Sequence, residues 1–287
     1  MYKNLKIGIV ILNYKDSDNT KKLCRLISKY NLIDKIVIVD NLSPDDSFER
    51  LISLKSDKID VLQSDKNGGY SYGNNYGAFY LTKKYNTDIL FIANPDVEFS
   101  EKFILGCAEI LTQNLVQATS GIMLYPNGDR SKWNGKINSY FEDLIDCTIF
   151  IKKLIINYSM DYAKRQNNLI YVDFLPGSLF AINANIFKKI GGFDENVFLY
   201  YEESILSLKL RKKGYKVAIS SSLSFKHIHS ATISKSINKI NQLKQLYKSR
   251  LYLHKNYLKT TKTQLILLKI FMQYGIFMRK IIYRFLY

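Results

Sequence analysis

Asp96 is the acid best placed in this sequence to hold a cation. It follows the apolar run Ile89-Leu90-Phe91-Ile92-Ala93 after only Asn94 and Pro95. The run predicts a buried strand, and Pro95 ends it, because proline fixes φ and brings no N–H to a ladder. In an open α/β sheet, ligands gather at the carboxyl ends of the strands. A carboxylate there suits Mg2+ or Mn2+ bound to a diphosphate. Such ions take one or two carboxylates and fill the rest of their shell with phosphate oxygens and water. Asn94 would add a carbonyl oxygen or brace the loop. Asn-Pro-Asp is also ordinary turn chemistry.

Four further groups carry polar chemistry. Asp40 and Asn41 end the run Ile38-Val39; an acid at a strand tip accepts hydrogen bonds from a nucleoside, or forms an Asx turn. Asn67-Gly68-Gly69 opens a glycine-rich stretch that runs through Asn74-Asn75-Tyr76-Gly77. Glycines let backbone approach a phosphate, and a helix N-terminus favours an anion, yet the stretch matches neither a P-loop nor the dinucleotide fingerprint. Glu202-Glu203 follows the aromatic run Phe198-Leu199-Tyr200-Tyr201. A carboxylate at the edge of an aromatic pocket has a raised pKa, which suits a proton acceptor; acids are equally at home at a helix start. His227 and His229 alternate by two and share one side of a strand; either one is a metal or phosphate ligand, or a structural histidine.

The elements that must position these groups follow from periodicity. Strand-like runs at Ile7–Leu12, Ile36–Asp40, Ile59–Leu62, Ile89–Ala93 and Ala118–Leu124 alternate with helical segments near 18–30, 47–55, 72–85 and 101–113. That order predicts an α/β fold with a mostly parallel sheet and right-handed crossovers. Residues 126–170 are less regular, with a helical stretch near 140–158. Strand-like pieces at Tyr171–Leu175 and up to Ile182 follow. Next come a helix ending near Lys213 with Gly214 beyond it, and two strands, Tyr215–Ile219 and Leu223–His229.

Charge divides the chain of 287 residues. The formal net charge is +17, but the first 230 residues carry 30 basic and 25 acidic groups. From Ala231 to Tyr287 there are twelve Lys and Arg and no acid. This tail predicts basic amphipathic helices with an acidic partner, a lipid surface or a nucleic acid. Its apolar stretch from Leu265 is interrupted by Lys269, Arg279, Lys280 and Arg284, so a helix lying in the membrane interface fits better than a spanning one. The boundary is therefore set at 1–230 for the body and 231–287 for the tail. Three scattered cysteines argue against both a disulfide framework and a thiolate zinc site and suit a reducing compartment. No signal peptide is read at the N-terminus.

Taken in order, the segments resemble an inverting family 2 glycosyltransferase of the GT-A fold, in its bacterial rhamnosyltransferase-like branch. The matching pieces are Ile9 through Tyr14, Val39 through Ser43, Asn67-Gly68-Gly69 with Asn74 through Gly77, and Asn94-Pro95-Asp96. Gly177-Ser178, Gly191 through Glu195, Phe198 through Glu203 and His227 through Ser230 complete them.

The resemblance implies roles. Asp40, with Asn41 beside it, would contact the base or ribose of a nucleoside-diphosphate sugar. Gly68, Gly69 and Asn74 belong to the stretch that meets its backbone atoms, and Asn94 lies beside the diphosphate. Asp96 matches the last acid of the metal-binding Asp-x-Asp motif, for Mg2+ or Mn2+, and His227 or His229 a histidine near the diphosphate. Glu203 matches the general base, with Glu202 the alternative. The sequence departs from the pattern in three places: Asn94 replaces the first acid, the base is glutamate rather than aspartate, and Ile205 stands where many relatives carry another acid.

The implied acceptor is a glycan or lipid-linked saccharide in bacterial surface polysaccharide synthesis, with dTDP-rhamnose the donor the branch favours. The implied location is cytoplasmic and peripheral, on the inner face of the cell membrane; the alternative is a tail that packs on the body or on a second subunit. Two rival classes are weaker. A nucleotidyltransferase needs a glycine-rich, basic loop after its first strand, where this chain has Asn13-Tyr14-Lys15-Asp16. A nucleic-acid binder needs a basic groove with stacked aromatics, whereas the charge here lies on an apolar helical tail.

Overall fold

The computed structural model describes residues 4–148, 163–228 and 239–286. Its described strands form one ten-stranded sheet. The first half builds β1 (Ile7–Asn13), α1 (Ser17–Ile27), β2 (Lys35–Asp40), α2 (Ser47–Ile52), β3 (Ile59–Gln63), α3 (Gly69–Tyr85), β4 (Ile89–Ala93), β5 (Val97–Glu98), α4 (Glu101–Thr112) and β6 (Ala118–Leu124). The second half adds α5 (Tyr140–Cys147), β7 (Arg165–Gln166), β8 (Leu169–Tyr171), β9 (Leu179–Asn183), α6 (Ala184–Lys189), α7 (Glu202–Lys212), β10 (Val217–His227), α8 (Lys239–Asn256) and α9 (Lys262–Leu286).

The sheet order is β3-β2-β1-β4-β9-β6-β10-β8-β7, with β5 paired to β10. β1, β2, β3 and β4 run parallel; β9 is antiparallel to β4 and β6, and β10 is parallel to β6. The strands read as unbroken apolar runs because helices cover both faces. Ile7, Ile9 and Ile11 enter one core cluster, and Val10 enters the other. The polarity of the strands brings the carboxyl ends of β1, β2, β4, β6 and β10 and the amino end of β9 to one edge.

Three sequence expectations change at this level. The two strands read at the end of the body are one strand, β10, with a register shift between Ser220 and Ser224. The strand expected from Tyr171 ends there, and Leu169–Tyr171 pairs with β10. α5 stops at Cys147, and residues 149–162 lie outside the described residues. The three cysteines are free and buried. No helix among the described residues is long and apolar enough to cross a membrane.

The tail is two helices with distinct relations to the body. α8 buries Tyr247, Ser249, Arg250, Leu253 and His254. Tyr252 and Tyr257 both donate to Asp194 Oδ2, at 2.8 and 2.6 Å, so the tail is fastened onto the Gly191–Glu195 segment. α9 buries Leu268 and Met272 against α5 and α8. Its other side exposes Ile266, Ile270, Tyr274 and Phe277.

Candidate active site

α3 is set flush on the sheet by glycine. A Cβ at Gly73 would meet Leu12 Cδ1 at 2.2 Å, and one at Gly77 would meet Val10 Cγ1 at 2.6 Å. This close approach holds the helix N-terminus at the strand tips. Gly69, at φ +81°, takes a conformation that costs other residues about 1–2 kcal/mol. A Cβ there would also fall 2.1 Å from the Phe198 carbonyl oxygen. Tyr70 N–H donates to that same oxygen at 2.9 Å. The glycine loop is thus docked on the segment leading into Glu202-Glu203.

Asp40 is fully buried. Its carboxylate accepts from Asn13 Nδ2 at 2.7 Å, Ser43 Oγ at 2.7 Å and Ser43 N–H at 2.9 Å. A buried carboxylate is tolerable only with such partners, and through them Asp40 braces the tips of β1 and β2. Asn41, also buried, donates to Asn67 Oδ1 and to the Gly69 carbonyl, each at 3.1 Å, tying the glycine loop to β2. Asn74 is likewise sealed and donates to the Tyr70 carbonyl at 3.0 Å. Its neighbour Asn75 brackets Phe193, donating to its carbonyl at 3.0 Å and accepting from its N–H at 2.8 Å. Gly68 caps α3 and touches the Tyr72 side chain.

Two clusters face the edge. In the first, Asp96 Oδ1 and His227 Nε2 are 3.2 Å apart. The pairing of β5 with β10 sets Val97 opposite His227, and Ile228 N–H donates to the Asp96 carbonyl at 2.8 Å. His229 lies outside the described residues. One carboxylate and one imidazole suit an Mg2+ or Mn2+ ion that takes its remaining ligands from a diphosphate and water. No group of three potential ligands occurs among the described residues. In the second cluster, Glu203 lies over Gly177, where a Cβ would fall 1.7 Å from Glu203 Oε1. Tyr70 O–H donates to the Gly177 carbonyl at 2.6 Å. The clusters are linked at the β4–β9 junction, where Asn94 N–H donates to the Ser178 carbonyl at 2.8 Å.

The adjacent glutamates differ. Glu202 is buried, and its Oε1 has no hydrogen-bond partner among the described residues. Burial, reinforced by the charge of Glu203, pushes its pKa well above the ordinary value near 4.5. Glu203 is partly exposed, and burial raises its pKa as well. Burial and both glutamates hold the Tyr70 phenol protonated, as its bond to Gly177 requires.

A protonated buried Glu202 has a thermodynamic signature. Above the ordinary glutamate pKa the unfolded chain has released a proton that the folded chain keeps, so stability falls as pH rises towards the folded pKa. Glu202→Gln is neutral at every pH. Thermal melts from pH 4 to 9 are expected to show a flatter alkaline decline for this variant. An unchanged decline would mean that Glu202 is charged in the fold.

Sequence reasoning left Tyr70, Gly177 and Arg250 without roles. Arg250 of α8 is buried, with Nε 2.7 Å from Tyr201 Oη and 3.4 Å from Asp143 Oδ1, and with Asp146 on its other nitrogen. The available signal was the acid-free tail: any cation it buries must find its counter-charge in the body.

The mixed, mostly parallel sheet with flanking helices is the GT-A fold of glycosyltransferases. The chain belongs to glycosyl transferase family 2, whose sequence pattern matches residues 8–191. It is 28% identical over 211 residues to a low-salt glycan biosynthesis hexosyltransferase of Haloferax volcanii, covering 74% of this chain and 63% of that one. It is 24% identical over 220 residues to the rhamnosyltransferase WbbL of Escherichia coli, covering 74% and 79%. The fold is similar to that of a mannosyltransferase from Pyrobaculum calidifontis solved with GDP-Man and Mn2+. That match has a TM-score of 0.60 at 11% identity, over 94% of this chain and 72% of that one.

Proposed function

We propose that the protein is an inverting hexosyltransferase that moves a sugar from a nucleoside-diphosphate donor to a saccharide or lipid-linked saccharide. The observation that carries this reading is the meeting of Asp96–His227 and Glu203–Gly177 at the β4–β9 junction. Asn41 and the glycine loop, held by Asp40, form the nucleotide side. Asp96, Asn94 and His227 face the diphosphate and would hold Mg2+ or Mn2+, which supplies counter-charge for the departing nucleoside diphosphate.

Glu203 takes the proton from the acceptor hydroxyl while that oxygen forms its bond to C1. The bond from C1 to the diphosphate oxygen breaks, and the electron pair leaves with the nucleoside diphosphate. One displacement from the opposite face inverts the anomeric carbon. A raised pKa at Glu203 strengthens it as a base and moves the acid limb of activity above the ordinary glutamate range. A panel of nucleotide sugars, scored by nucleoside diphosphate release with an oligosaccharide acceptor, tests the reading. The rhamnosyltransferase relative suggests a rhamnosyl donor, and dTDP-rhamnose is the form to test first. Failure of every donor to release nucleoside diphosphate would overturn it.

The tail serves as the membrane contact in this reading. Ile266, Ile270, Tyr274 and Phe277 recur at three or four along the exposed side of α9, beside exposed Lys262, Lys269 and Lys280. Apolar residues flanked by cations fit the surface of an anionic bilayer, such as the inner face of a cell membrane. Flotation with phosphatidylglycerol vesicles is expected, weakening as salt rises. Ile270→Asp with Phe277→Asp is expected to abolish it while sparing turnover on a soluble acceptor. Retained flotation would refute the contact; a salt-independent dimer lost with the same substitutions would assign the stripe to a second copy.

A further inference from the structure

Tyr200 and Tyr201 both lie in the left-handed region, at φ 72° and 69°. Neither residue type favours that conformation, which costs about 1–3 kcal/mol per residue unless the surroundings impose it. They immediately precede Glu202-Glu203 and form the entry to α7. The segment is therefore an arm whose backbone direction sets where the Glu203 carboxylate points.

Three contacts impose the arm's shape, and two come from α8. Tyr70 N–H donates to the Phe198 carbonyl at 2.9 Å. Ser249 Oγ donates to the Leu199 carbonyl at 2.7 Å, and Arg250 Nε donates to Tyr201 Oη at 2.7 Å. Arg250 is itself fixed. Its guanidinium meets Asp143 and Asp146, which lie one turn apart on α5, and donates to the Asp143 carbonyl at 3.2 Å. His254 Nε2 lies 2.9 Å from Asp143 Oδ2, so the acid is held from both sides. A planar fork with donors in fixed directions holds two carboxylates and a phenol in one geometry; an ammonium, a compact charge with rotatable donors, does not fix them so.

We propose that Arg250 is a positioning residue for the base: anchored on α5, it holds Tyr201 in its left-handed backbone and thereby keeps Glu203 over Gly177. The proposal rests on Glu203 being the base and gives the C-terminal helix a part in sugar transfer.

Tyr201→Phe is the mildest test, because it removes one hydroxyl and leaves Arg250 paired with Asp143 and Asp146. In the full-length chain it is expected to lower kcat about tenfold, with donor KM changed less than about twofold and a single cooperative thermal melt lowered by a few degrees; a misplacement of about 1 Å is enough for losses of this order or larger. Arg250→Lys is expected to lower kcat further, again with little change in donor KM. In a Glu203→Gln background, Tyr201→Phe is expected to change nothing more, since the arm then has no base to aim.

Wild-type kcat in folded Tyr201→Phe overturns the proposal, whether or not Arg250→Lys folds. So does a loss of kcat matched by an equal rise in donor KM, which marks general loosening. An additive loss in the Glu203→Gln background overturns it too. A Glu203→Gln variant of near wild-type rate would instead remove the base assignment itself, and the two failures are thereby distinct.

Discussion

Glu203→Gln is expected to lose about 10²- to 10⁴-fold in kcat, the usual worth of a general base, while keeping its affinity for the nucleoside diphosphate. The amide preserves the shape that fits over Gly177, where there is no room for a Cβ beside the carboxylate. It removes the negative charge and the basicity that take the acceptor's proton. Titration calorimetry with the nucleoside diphosphate separates the two effects. Glu202→Gln provides the internal comparison. Glu202 is buried, and burial with the neighbouring Glu203 charge favours its neutral form, so its amide should retain most of the rate. If the two variants exchange phenotypes, the base is Glu202 and the arm turns the other way in the working enzyme.

Asp96→Ala is expected to cost about 10²- to 10³-fold, the scale of removing one preorganised electrostatic contact to a developing charge. The remaining donors at that spot are His227 and the Asn94 loop, and neither brings a negative charge. With a single carboxylate, the ion's affinity must come largely from the diphosphate, so Mn2+ binding should be weak alone and tighten when nucleoside diphosphate is added. Calorimetry of Mn2+ with and without the nucleotide reads this directly. Activity that survives EDTA, or a wild-type rate in Asp96→Ala, would refute the metal assignment.

The sheet was legible because its strands are buried on both faces and therefore appear as continuous apolar runs. Five of them fell within a residue or two of β1, β2, β3, β4 and β6. The polar residues at their ends were legible for the same reason: they interrupt those runs abruptly. What each does was less so. Asp40, Asn74 and Gly69 read as ligand contacts; that burial and close packing also make the first two braces and the third a docking point did not show. Burial depends on chain segments far apart in sequence, and no local pattern reports it. The same holds for Arg250, which reads as one more cation of a basic tail until α5 supplies its two acids. The left-handed pair Tyr200-Tyr201 carries no glycine or asparagine to announce it. The long register shift in β10 hid as two strands because its middle is a run of serines.

The order of synthesis gives the α5–α8 link another meaning. Asp143 and Asp146 leave the ribosome more than a hundred residues before Arg250, with separations of 107 and 104 to the contacts they make. A nascent chain that has emerged to the end of β10 already owns the nucleotide side, Asp96 and both glutamates. It lacks the cation that neutralises α5 and the helix that closes on Leu199 and Tyr201. The strand-tip residues can therefore assemble before the arm that carries Glu203 is fixed. On the reading that Glu203 is the base, the docking of α8 on Leu199 and Tyr201 is the step of folding that sets the base in place.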